Sequence, residues 1–163
     1  MRAHLLSQLA TAPRDLDYVE HFQTLSVVNL EIRRHGPSAE RLLRKAILEM
    51  DLGNYGASLA AALDAVAMDP VSPETHHQVA MAYLLSSLAR TGLVPVGPGT
   101  AIHELPAASA LELMHKAVDA FRKVVRLNPS DQETQEDLEA LEGVTGGAKD
   151  DASLLARLTE ALN

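Results

Sequence analysis

The chain has 163 residues, no cysteine and a formal net charge of −8 at pH 7 with its histidines neutral. That is one domain's worth of material; the missing cysteines exclude disulfides, thiol nucleophiles and cysteine-based zinc sites, and a negative charge without a dense run of Lys or Arg argues against nucleic acid as a partner. Aromatic residues make up only 3% while Ala and Leu dominate, which favours helices over pleated surfaces and gives an all-α fold as the expectation.

Residues 1–15 hold a short apolar patch at Leu5, Leu6 and Leu9 that Pro13 interrupts. A secretory core needs ~7–15 continuous apolar residues, so no signal peptide is expected. Nor does any apolar run approach the ~20 residues that span a bilayer. The expectation is a soluble, cytoplasmic protein without membrane insertion.

A first helix is expected from an Asp15 cap, with Val19, Phe22, Leu25, Val28 and Ile32 on one stripe and Gly36-Pro37 ending it. Ser38 caps a second helix bearing Leu42, Leu43, Ala46, Ile47 and Met50, which Gly53-Asn54 breaks. A third carries Leu59, Ala62, Leu63 and Val66 and stops at Asp69-Pro70; a fourth opens at Pro73-Glu74 and reaches about Ala89. Residues 90–108 contain Gly92, Pro95, Gly97, Pro98, Gly99 and Pro106 and are expected to form a long loop. A fifth helix follows from about Ser109 to Leu127. Ser130 and Glu133 form a capping box for a sixth, acidic helix ending before Gly143. Residues 143–163 are expected to be a flexible linker and an amphipathic helix with Leu154, Leu155, Leu158 and Leu162 on one face.

Two helix pairs end alike, at Asp69-Pro70 and Asn128-Pro129, and both carry small residues at helix crossings. With Gly53-Asn54-Tyr55 between the helices of the first pair and His76-His77-Gln78-Val79-Ala80-Met81-Ala82-Tyr83 opening the second, the chain resembles the tetratricopeptide repeat, whose period is ~34 residues. The resemblance implies a helix-turn-helix stack over residues 1–142, with repeats at about 39–72 and 73–129, the second split by the 90–108 loop, and a capping helix at 130–142. In the second repeat it implies His76 at the usual Trp site, Val79, Ala80 and Tyr83 packing inward, Ala117 at the small-residue crossing, Phe121 at the aromatic site and Val124 at the next small site. In the first, Gly53, Tyr55, Ser58, Ala62, Ala65 and Pro70 fall at motif positions. Counting back from Pro70 puts Lys45 and Glu49 at buried sites. A one-residue shift buries Leu43, Ala46, Ile47 and Met50 instead, and is preferred because two unpaired buried charges cost several kcal/mol.

No motif for chemistry stands out. His76 and His77 are adjacent and point about 100° apart on a helix, whereas two helical ligands to one ion need i,i+4 spacing. His103, Glu104 and His115 could meet in space, but solvated or packed histidines are the simpler reading. The carboxylates of the sixth helix, Asp131, Glu133, Glu136, Asp137, Glu139 and Glu142, read as a solvated face rather than acid–base machinery. Gly97-Pro98-Gly99 lacks the Lys-Ser/Thr of a phosphate loop. The chain is therefore expected to be neither an enzyme nor a carrier of a cofactor or metal.

What remains is surface for binding. The fourth helix is apolar nearly all round, so a second face must be covered, either by a partner or by the chain's own N-terminal helix, loop or last helix. The resemblance places His77, Met81, Leu84 and Leu85, with Gln78, in a concave groove that takes a peptide or protein segment. The carboxylate clamp of some family members is absent. Its places fall on Leu43 or Arg44, Ile47 or Leu48, Gln78, Glu133 and Asp137, which points to an apolar or basic amphipathic ligand. The expected function is a protein-interaction module of adaptor, scaffold or chaperone kind. The alternative is a self-assembling homo-oligomer in which the C-terminal helix docks into a neighbouring subunit; a histidine-dependent metal site or enzyme is the least favoured.

Overall fold

The computed structural model describes residues 18–97 and 104–163, so the Asp15 cap and His103 lie outside the described residues. Among the described residues there are seven helices and no strand: α1 (Tyr18–His35), α2 (Ala39–Asp51), α3 (Tyr55–Met68), α4 (Pro73–Arg90), α5 (Ala110–Leu127), α6 (Gln132–Thr145) and α7 (Asp151–Leu162). The fold is all-α. Each helix packs on its neighbour in the chain, α2 also reaches α4, and α7 also reaches α5.

The punctuation comes from the residue types that suit it. Gly36 and Gly53 take left-handed φ values of 81° and 79°, a region in which side chains are strained. The Ser38 hydroxyl accepts the Arg41 amide at 3.1 Å, Ser72 caps α4 ahead of Pro73, and Ser109 accepts the Glu112 amide at 3.1 Å. The cap of α6 is Asp131 rather than Ser130: its carboxylate accepts the Thr134 amide at 3.1 Å and hydroxyl at 2.6 Å, while Ser130 donates to Asn128 instead.

α4 runs through the centre of the core. Ala80, Leu84, Leu85 and Leu88 join Tyr55, Met114, Ala117, Phe121 and Leu141 in the main apolar cluster, and Val79 and Ala82 join Ala46, Leu59 and Ala62 in a second. Ala117 is fully enclosed. Ala117→Leu adds three carbons to close-packed surroundings and is expected to destabilise by ~1–3 kcal/mol, read as a lower urea midpoint at unchanged slope. An unaltered midpoint would mean that the α4–α5 crossing has room to spare.

The helix α2 follows neither expected register in full: Glu49 is buried, Lys45 is only partly covered and Ala46 is enclosed. Leu42, Ala46 and Glu49 face inward, whereas Ile47 is 40% exposed and Leu43 and Met50 are only partly covered. Glu49 is tolerated because it is not unpaired: its carboxylate accepts the Asn54 amide nitrogen at 2.9 Å.

The described parts of the 90–108 segment are stitched to the helices and their turns. The Tyr55 hydroxyl donates to the Pro95 carbonyl at 2.8 Å, the Gly97 amide donates to the Gly53 carbonyl at 3.1 Å, and Arg90 donates to the Pro106 carbonyl at 2.7 Å. Val94 and Leu105 are buried in the main cluster. A Cβ on Gly97 would run into the Leu52 carbonyl oxygen, so this close approach requires glycine.

The C-terminal segment differs from its expectation. α6 continues through Gly143 to Thr145, because Val144 and Thr145 are buried. α7 then folds back with Leu154 and Leu158 fully enclosed by the same chain. It also terminates two other helices. Asp151 accepts the Ala110 and Leu111 amides at the start of α5, at 3.2 and 2.9 Å. Arg157 donates to the Val144 and Gly143 carbonyls at the end of α6, both at 2.7 Å. Each charge sits at the helix end whose dipole favours it.

Candidate functional site

Three helices that alternate along the chain, α2, α4 and α6, form the walls of an open groove of about 600 Å³. That volume lies in the range of binding clefts, ~300–1,000 Å³. α2 supplies Leu43 and Ile47, both apolar. α4 supplies Pro73, Glu74, His77, Gln78 and Met81 along successive turns of one face. The end of α5 adds Val124 and Asn128, and the opening turns of α6 add Asp131, Glu133, Thr134 and Asp137.

The expected site residues divide. His77, Gln78 and Met81 line the groove, while Leu84 and Leu85 do not: they are buried in the main core with Val94, Leu105 and Met114. The second apolar face of α4 is thus covered by the chain itself, and a groove assignment for Leu84 and Leu85 is corrected. Met81 is only 7% exposed and belongs to the floor. Gln78 is buried as well, its Nε2 lying 3.4 Å from the Ser58 hydroxyl and 3.3 Å from the Met50 sulfur. It ties α4 to the first helix pair.

His77 stands at the middle of the groove with its ring edge-on to Phe121, centroids 5.7 Å apart at 78°. Burial pushes its pKa below the ordinary histidine value, and the Asp131, Asp137 and Glu133 carboxylates pull the other way. The net balance favours the neutral imidazole. Asp131 is held below the usual carboxylate range by its two hydrogen bonds from Thr134, so it is ionised. His76 turns away from its neighbour, its Nε2 2.8 Å from the Pro70 carbonyl oxygen.

Of the residues considered for the clamp positions, Leu43, Ile47, Gln78, Glu133 and Asp137 line this groove, whereas Arg44 and Leu48 are not among its lining residues. Sequence reasoning read the α6 carboxylates in general as a solvated face but put Glu133 and Asp137 at the groove through the clamp positions; Asp131 and Thr134 line it as well. Among the described residues, no three His, Asp or Glu side chains gather where they could hold a metal ion, and no helix is long and apolar enough to cross a membrane. Comparison of the chain with protein-family models, with curated proteins and with solved structures finds no match.

Proposed function

We propose that the chain is a protein-interaction module that holds a segment of a partner polypeptide in the groove between α2, α4 and α6, and performs no chemistry on it. The single observation that carries this reading is the apolar wall of α2. Ile47, 40% exposed, lines the groove together with Leu43 and Met81 and so offers apolar surface inside a concave site. Three features fit an adaptable binding surface: methionine at the floor, a neutral histidine between the walls, and rigid helices carrying both. The alternation of α2, α4 and α6 on one side with α3 and α5 behind them agrees with a tetratricopeptide-like stack, and such stacks bind along that side.

Ile47→Asn tests this. The change removes an apolar anchor from a half-open position, so the melting temperature should stay close to that of the parent. Affinity for a partner should fall at least about tenfold, as for a truncated interface anchor. Proteins captured from native cell extract by the parent should be lost on the variant. Undiminished capture of the same proteins by Ile47→Asn would remove the groove from the function.

A further inference from the structure

The apolar residues expected on one stripe of α1 divide between two faces. Leu25 and Val28 are buried and Ile32 is partly covered, whereas Val19 and Phe22 are 67% and 55% exposed. With Ser26 and the exposed Leu30 they form an i, i+3, i+7, i+11 series, which keeps to one narrow strip of a helix, roughly 120° round from the buried side. Val27, also exposed, borders the strip. The Ser26 hydroxyl donates to the Phe22 carbonyl at 3.0 Å, so covering the strip strands no hydroxyl donor. The charges of α1 are sorted by end, with Glu20 in the first turn and Arg33 and Arg34 in the last. Its two Glu and two Arg cancel, so in a chain of net charge −8 this helix itself adds no repulsion between two copies.

We propose that the strip is a homodimer surface, on which α1 pairs antiparallel with α1 of a second copy about a twofold axis near Ser26 and Val27. The inference is independent of the groove. Phe22 and Leu30 lie four residues either side of Ser26, so Phe22 of one copy meets Leu30 of the other, and the small Ser26 lets the two backbones approach. On the bordering row Glu20, Val27 and Arg34 are seven residues apart, which sets Val27 against Val27 and Glu20 of each copy against Arg34 of the other. Parallel pairing would put Glu20 against Glu20 and Arg34 against Arg34, which is unfavourable. An isologous interface needs a patch that complements itself under a twofold rotation, and both rows do so. A different protein would need no such symmetry of spacing and charge. One helix pair is a small interface beside the ~1,200–2,000 Å² of stable complexes, so the dimer is weak and concentration-dependent.

The test measures the mass of the full chain by sedimentation equilibrium over a range of concentrations. The mass should rise from monomer to dimer in the micromolar range. Phe22→Glu, at an exposed position, should hold the chain monomeric with its melting temperature kept. Glu20→Arg or Arg34→Glu alone should weaken the dimer ~3–10-fold, and the two together should restore it. Glu20 and Arg34 are about 21 Å apart along α1 and do not meet within one chain, so that rescue reports contact between chains. The chain has no cysteine of its own, so Ser26→Cys near the axis should give a disulfide-linked dimer on mild oxidation. A parent that stays monomeric at every concentration overturns the proposal. In such a monomer, a lower melting temperature for Phe22→Glu would mean that the same chain covers the strip, and capture of another protein lost on Phe22→Glu would assign the strip to that protein. A dimer that Phe22→Glu leaves intact, or that Ile47→Asn abolishes, uses another surface and overturns it as well. A dimer lost on Phe22→Glu but neither rescued by the charge swap nor linked through Ser26→Cys would overturn the antiparallel pairing.

Discussion

Leu84→Glu is expected to abolish the cooperative folding transition. Leu84 has no exposed surface and sits in the middle of α4, in one apolar cluster with Tyr55, Met114, Phe121 and Leu141. A glutamate there loses the leucine's packing and brings a carboxyl group into a site with no cation to pair it. Even if it takes up a proton, an unsatisfied polar group remains. The combined cost is expected to exceed ~4 kcal/mol, a large part of the ~5–15 kcal/mol that holds a domain of this size together. Circular dichroism should show the helical signal reduced at 25 °C and no sharp melt. The control is Ile47→Glu on the open wall of α2, which should melt within a few degrees of the parent because its carboxylate keeps its water. Similar melting curves for the two variants would mean that Leu84 faces the groove after all.

Leu84 and Ile47 also show where the sequence stops being legible. The boundaries around α2, α3 and α4 were readable because capping is local: Ser38, Ser72-Pro73 and Gly53 act within a turn of themselves. Which apolar face is covered depends on other elements. α4 is apolar all round, and periodicity alone does not tell a helix enclosed by its own chain from one awaiting a partner. The enclosing residues, Val94 and Leu105, lie in a segment whose glycines and prolines mark it only as irregular. Its attachment depends on pairs such as Tyr55 with Pro95, distant in sequence. Glu49 was assigned outward on a sound rule, that buried charge is costly, but Asn54 supplies the partner that meets the rule. Gly143 was taken as a helix stop because glycine disfavours helix interiors by ~1 kcal/mol, a preference that burial of Val144 overrides. The groove was partly legible: His77, Gln78 and Met81 were placed in it, and Glu133 and Asp137 reached it through the clamp positions, while Asp131 and Thr134 were not assigned to it.

Leu154→Ala combined with Leu158→Ala is expected to release α7 and to loosen two helices that α7 does not belong to. Both leucines are fully enclosed, and each such truncation costs ~2–5 kcal/mol. They lie one turn apart on the same face, so their effects couple rather than add. A helix as short as α7 has little stability apart from its packing, so it should detach as a unit. Detachment takes Asp151 away from the Ala110 and Leu111 amides and Arg157 away from the Gly143 and Val144 carbonyls, leaving both helix ends short of partners. Hydrogen exchange should therefore speed up in residues 151–162 and at the first amides of α5, while α2 and α3 keep their protection. Thr159→Ala, on the exposed side of α7, should change little. The pattern also separates docking within one chain from docking onto a neighbour. If α7 served a second subunit, the double variant would lower the assembly's mass by light scattering and leave protection at Ala110 and Leu111 unchanged. Faster exchange there at constant mass is the outcome expected of a helix that caps its own chain.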